Sequence, residues 1–142
     1  MWRIIRFALW TGARREEIKN LKWQNIYKTV ARLIGKGDKE RTVPLLPAAI
    51  KAMGSRQDVG PVFVQWSLCT YTHKFKKIVR TCGIKNVSFH KMRHTAATQM
   101  LANGISLHIV QEIMGHADIK TTRIYTKILQ KNLVEEMKKF RY

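Results

Sequence analysis

The sequence predicts a mainly α-helical domain carrying one small antiparallel β-sheet, an α+β fold. Three observations carry that expectation. Apolar residues recur at helical spacing in several short segments, each closed by glycine, asparagine or proline. Two β-prone runs flank a turn that holds two glycines. The chain has 142 residues, 45% of them hydrophobic, which suits one compact domain with its own core.

The elements follow in order. Residues 2–9 read as a helix with Ile4, Ile5, Ala8 and Leu9 on its apolar stripe. Thr11-Gly12 interrupts it, with Thr11 placed to cap the next turn, and residues 14–21 resume a helical pattern. Trp23 and Ile26 pack the exit. Residues 30–33 and 42–45 form a hairpin around Gly35-Lys36-Gly37-Asp38-Lys39, and Pro44 confines the second strand to a sheet edge or a strand end. Pro47 suits the first turn of a short helix ending near Gly54, and residues 57–61 are a loop. Residues 66–82 read as a basic amphipathic helix, with Phe75, Ile78 and Val79 on one face and Lys74, Lys76, Lys77 and Arg80 around them. Helices over 90–102 and 106–114 follow, the first closed by Asn103-Gly104, the second capped by Ser106 and stopped by Gly115. Residues 121–127 and 129–140 complete the helical set. No repeat, low-complexity tract or linker divides the chain.

Charge narrows the function. Lys and Arg number 27 against 9 acidic residues, a net +18. A polyanion relieves the self-repulsion of such a chain, so nucleic acid is the first partner to consider. A ribosomal-type basic protein or a membrane-surface binder would share the charge. No apolar run approaches the roughly 18–20 residues of a membrane span. Arg3 and Arg6 break up the N-terminal apolar residues, unlike a signal peptide. Cys69 and Cys82 lack metal-site or disulfide spacing and read as free thiols in a reducing cytoplasm.

Several residues can carry chemistry. His90 and Arg93 lie three apart in a predicted helix and can face one site. Arg offers a planar fork of donors for phosphate, and His moves protons near neutral pH. A solvated basic turn would look the same. His90 and His94, four apart, raise a zinc reading, but Lys91 stands where a zinc hydrolase helix places Glu, and its charge repels a metal. His94 reads instead as a buried or capping histidine. Tyr125 follows a helix break nine residues after His116. Its phenol is a weak nucleophile unless cations favour the phenolate, and otherwise it is a half-buried aromatic.

Five motifs, in order, then resemble one family. Thr11-Gly12-Ala13-Arg14-Arg15-Glu16-Glu17-Ile18 is similar to the first arginine motif of tyrosine recombinases of the phage-integrase and Xer type. Lys36, within Gly35-Lys36-Gly37-Asp38-Lys39-Glu40-Arg41-Thr42-Val43-Pro44-Leu45, resembles their hairpin lysine. Phe89-His90-Lys91-Met92-Arg93-His94 resembles their HxxR box, and Met114-Gly115-His116 and Tyr125 their closing elements. The match runs over residues 11–127. It implies the tyrosine recombinase catalytic fold and site-specific DNA recombination or integration through a 3′-phosphotyrosyl intermediate, without metal, ATP or other cofactor.

The roles it implies fit the chemistry. Arg14 and Arg93 would clamp the scissile phosphate as its transition state gains charge. Lys36 would protonate the leaving 5′ oxygen. His90 would assist proton transfer at Tyr125, His116 would donate to the phosphate, and Tyr125 would be the nucleophile. Glu17 would hold Arg14 or cap the adjacent backbone. Glu16 departs from the usual small residue there, and Arg15, an extra cation, reads as a surface charge. Lys74, Lys76, Lys77 and Arg80 would track the backbone of double-stranded DNA or form a solvated helix face. Leu129, Leu133, Met137 and Phe140 form a stripe that either packs on its own domain or docks on a neighbouring subunit, in a tetramer assembled on DNA by the full-length protein.

Members also carry an N-terminal DNA-clamping domain. Residues 1–142 therefore read as an N-terminally truncated catalytic domain without its core-binding domain, binding DNA weakly alone, from a phage or mobile element or a chromosome-dimer resolvase, and acting in the cytoplasm at the nucleoid. A type IB topoisomerase would use similar chemistry but fits the hairpin and the His116-to-Tyr125 spacing less well. A catalytically silent DNA-binding module on the same scaffold would have lost an active-site residue, and all six positions are occupied by the expected types.

Overall fold

A computed structural model describes residues 1–115. The expected helices over 121–127 and 129–140, His116, Tyr125 and the Leu129–Phe140 stripe lie outside the described residues.

Helix α1 (Trp2–Thr11) buries Ile4, Ile5, Phe7 and Ala8. Leu9, expected on that stripe, is instead exposed and lines an apolar groove of about 640 Å³ with Trp10, Leu46, Met100 and Ile113. The helix runs to Thr11, beyond the expected end, because Thr11 Oγ1 donates to Phe7 O at 2.7 Å while accepting from Ala13 N at 3.2 Å. Thr11 thus caps the turn that follows, as its position suggested.

Gly12 closes α1 in the left-handed region, at φ 63°, with its N–H on Ala8 O. A Cβ there would crowd the side chain of fully buried Met114, standing 2.7 Å from its sulfur. Gly12→Ala is expected to cost about 1–2 kcal/mol from the backbone conformation alone, with the crowding added. Urea denaturation checks this, and an unchanged midpoint would sink it.

Helix α2 (Arg15–Asn20) is followed by a short 3-10 turn and strand β1 (Ile26–Tyr27). β1 pairs antiparallel with β2 (Val30–Ile34), which pairs with β3 (Glu40–Pro44), so the sheet has three strands in the order β1-β2-β3 where a two-stranded hairpin was expected. Trp23 and Ile26 are both buried after α2, Ile26 as a strand residue. Pro44 ends the edge strand β3, where a missing N–H costs no ladder bond. At the hairpin tip, Gly37 and Asp38 both adopt positive φ, and Lys36 is exposed.

Helix α3 (Pro47–Met53) starts on its proline and packs against α1. Helix α4 (Leu68–Thr81) begins at the Ser67 cap, whose hydroxyl accepts from Thr70 N. It buries Tyr71 and Phe75 and keeps Lys74, Lys76, Lys77 and Arg80 exposed. Helix α5 (Phe89–Ala102), capped by Ser88, lies against α1, and α6 (Leu107–Met114), capped by Ser106, lies against α5 and β3. The main core joins α1 to α4 with the sheet, and a smaller cluster of Ala96, Ala97, Leu101, Val110 and Met114 joins α5 to α6. The Gly12 turn sits between them, against Met114 and Ala96.

Candidate active site

Arg14 is the N-cap residue of α2. Its backbone N–H donates to Glu17 Oε2 at 2.6 Å, and its Nη1 donates to Glu17 Oε1 at 2.9 Å. The carboxylate three residues into the helix therefore satisfies an N-terminal donor and orients the arginine at once. Glu17 performs the structural role expected of it. The Arg14 side chain stays 48% exposed, with Nη2 on Gly115 O at 3.3 Å.

Glu17 itself is 1% exposed and receives a second guanidinium. Arg41 Nε donates to Oε1 at 3.1 Å and Nη2 to Oε2 at 2.7 Å. Burial alone would raise the Glu17 pKa. The hydrogen bonds and charge of Arg41, with the hydrogen bonds from Arg14, overcome it and hold the carboxyl at about 2.

Arg93, on the second turn of α5, is 5% exposed. Its Nη1 donates to Gly12 O at 2.7 Å and its Nη2 to Met114 O. Arg14 and Arg93, far apart in sequence, thus converge where the Gly12 turn meets the end of α6. The last carbonyls of α6 carry partial negative charge, which makes them apt partners for guanidiniums. Three arginines against one carboxylate leave the cluster strongly positive, suited to an anion such as a phosphate diester.

His90 is exposed at the start of α5, its ring edge-on to His94 with centroids 4.6 Å apart. His94 is half-buried, and burial, reinforced by the His90 and Arg93 charges, lowers its pKa. Arg14, Lys76 and His90 line one open cleft of about 400 Å³ between α2, α4 and α5. Lys74 stands with its Nζ 4.8 Å from the Trp66 ring, and Lys76 and Arg80 border a second hollow with Lys85. Lys77 is exposed on the same helix, and Lys36 stands apart at the hairpin tip.

Arg15 corrects an expectation. It is no free surface charge: its Nη1 donates to Leu68 O at 3.3 Å and to Thr72 Oγ1, tying α2 to the first turn of α4. Sequence reasoning also passed over Arg41. Its signal was the strand alternation that puts it on the same face as buried Val43. Among the described residues no cluster of His, Cys, Asp or Glu could hold a metal ion, and no helix is long and apolar enough to cross a membrane.

The chain and its fold resemble known proteins. The chain is 37% identical to the tyrosine recombinase XerA of Pyrococcus furiosus, over 91% of this chain and 50% of that protein. It is 34% identical to the tyrosine recombinase XerD of Lacticaseibacillus casei, over 87% of this chain and 49% of that one. It therefore spans about half the length of these relatives. Its fold superposes on the solved structure of the catalytic domain of bacteriophage HP1 integrase with a TM-score of 0.76 at 26% identity, covering 96% of this chain and 79% of that one. Arginine cluster, hairpin and helical frame thus come together in a protein that matches the phage integrase family across residues 3–132, and to that family the chain belongs.

Proposed function

We propose that residues 1–142 form the catalytic domain of a tyrosine recombinase that cuts and rejoins double-stranded DNA at a specific site. The observation that carries the reading is the convergence beside Gly12 and Gly115 of Arg14, held by the buried Glu17 carboxylate, and Arg93, held by the Gly12 and Met114 carbonyls. Two guanidiniums fixed this way stabilise the charge that develops on a phosphate under attack. Tyr125 Oη attacks phosphorus and forms a phosphotyrosyl bond to the DNA 3′ end. The bond to the 5′ oxygen breaks, and Lys36 gives that oxygen a proton. His90 takes the Tyr125 proton, and His116 adds a donor to the phosphate. The covalent bond conserves the energy of the cut linkage, so a second 5′ hydroxyl reverses the step and completes the exchange. The cationic side chains supply the neutralisation that a metal ion would otherwise bring.

Lys74, Lys76, Lys77 and Arg80 contact flanking phosphates, and binding weakens steeply with salt. The full-length protein assembles on DNA as a tetramer and acts at the nucleoid.

Trapping the covalent adduct tests the reading. Nicked duplexes from the source genome are incubated with protein, denatured and resolved in detergent. An adduct on the wild type that vanishes with Tyr125→Phe is the expected result. An equal adduct on Tyr125→Phe overturns the nucleophile assignment. DNA binding with no adduct on either, even after the region preceding this domain in its relatives is supplied, favours the silent module.

A further inference from the structure

Arg41 has no place in the chemistry just described, yet the parts of the site meet at it. It lies on β3, in the same hairpin as Lys36, with its side chain only 8% exposed. It pairs with both carboxylate oxygens of Glu17, at 3.1 and 2.7 Å. It also reaches Gly12 O at 3.5 Å and donates to Ile113 O in the last turn of α6. Four contacts therefore span three other segments: α2, the Gly12 turn and α6. The chain leaves α6 through Gly115 at φ 58°, where a Cβ would stand 2.6 Å from Arg41 Cδ, so the backbone closes directly over this side chain. Only a planar fork meets acceptors in so many directions; an ammonium could balance the Glu17 charge but not span them.

We propose that Arg41 is a positioning residue: acting through Glu17 it fixes the Arg14 guanidinium toward the phosphate, and through Ile113 it fixes where the chain leaves α6. The proposal rests on the reading of Arg14 as a phosphate clamp. Glu17 is faced by Arg14 from α2 and by Arg41 from β3, so removing Arg41 leaves the carboxylate with one partner and Arg14 with a looser anchor.

Three variants test it: Arg41→Lys, Arg41→Met, and Arg41→Met combined with Glu17→Gln. The last replaces the buried pair with neutral groups and guards against misfolding of the single variant. The first measurement needs no DNA. Nitrogen-15 NMR of the Arg14 Nε–H is expected to show an ordered, slowly exchanging group in the wild type, and loss of that order in both Met variants. The second is the single-turnover rate of adduct formation on the duplex trapped by the wild type, beside the Kd for the same duplex. Misplacing a catalytic group by about 1 Å costs on the order of 10²-fold, so the Met variants should lose about that in rate while Kd stays near the wild-type value. Arg41→Lys should recover part of the rate. Folded Met variants that keep Arg14 order overturn the proposal. So does a rate loss matched by an equal loss of binding, which marks a merely structural role. If the wild type forms no adduct even with the region preceding this domain in its relatives supplied, the catalytic reading fails separately, and the Arg14 order still decides whether Arg41 positions it.

Discussion

Arg93→Lys is expected to slow strand cleavage by about 10²–10³-fold, the usual cost of losing one transition-state donor, with a much smaller change in duplex affinity. The reason lies in how Arg93 is held. The residue is 5% exposed, and its guanidinium is fastened by Gly12 O at 2.7 Å and Met114 O, acceptors on two different segments. Lysine keeps the charge, and so keeps much of the attraction for DNA. It cannot hold both carbonyls and also present a second edge to a phosphate, because its donors radiate from one atom. The loss therefore falls on the step in which charge grows on the phosphate, more than on binding. Single-turnover adduct formation beside duplex binding measures the split. An unchanged rate, or equal losses in rate and affinity, would remove Arg93 from the clamp.

Glu17→Ala is expected to destabilise the fold by about 3–5 kcal/mol, since it strands the Arg41 guanidinium, 8% exposed, without its anionic partner. In a domain of this size that lowers Tm by roughly 10–15 °C. The acid stability of the wild type makes the same point. Folding takes the carboxyl from an ordinary value of 4.5 down to about 2, because the Arg41 and Arg14 contacts outweigh burial. A group whose pKa falls on folding stabilises the native state where it is ionised in both states. Its contribution is complete above about 4.5 and is lost as pH drops toward 2. The shift corresponds to about 3 kcal/mol at neutral pH, in line with the substitution. Urea midpoints of wild type and Glu17→Gln, followed through this range, should converge as the pH falls. Parallel curves would mean that Glu17 is not the titrating anchor.

Much of this was legible in advance, for local reasons. The Ser106 cap, the Gly12 and Gly115 stops and the Gly35–Lys39 turn are set by residues adjacent in sequence, so pattern reading reached them. Glu17 was legible because a carboxylate at the third helical position has a backbone donor within reach whatever the tertiary fold. β1 was not: at two residues it is too short for alternation to mark it. It joins β2 through Lys28-Thr29, with Lys28 at φ 48° and no glycine to signal the turn. Arg15 and Arg41 were misjudged or missed for a shared reason. Their partners, Leu68 and Thr72 for one and Glu17 and Ile113 for the other, are brought in only by tertiary packing. Family resemblance picked out Arg14 and Arg93 as a pair, but only the folded chain reveals that both anchor on the carbonyls around Gly12 and Gly115.

The contacts that close this cluster span great lengths of chain: Arg93 to Gly12 across 81 residues, Arg14 to Gly115 across 101. Closing loops of that length sacrifices chain entropy early, so such contacts form late in folding. On the ribosome, Arg14 emerges long before the segment that completes its surroundings. A nascent chain therefore carries most of its positive charge before its arginine cluster is organised, and it meets polyanions as a diffuse cation rather than through a formed site.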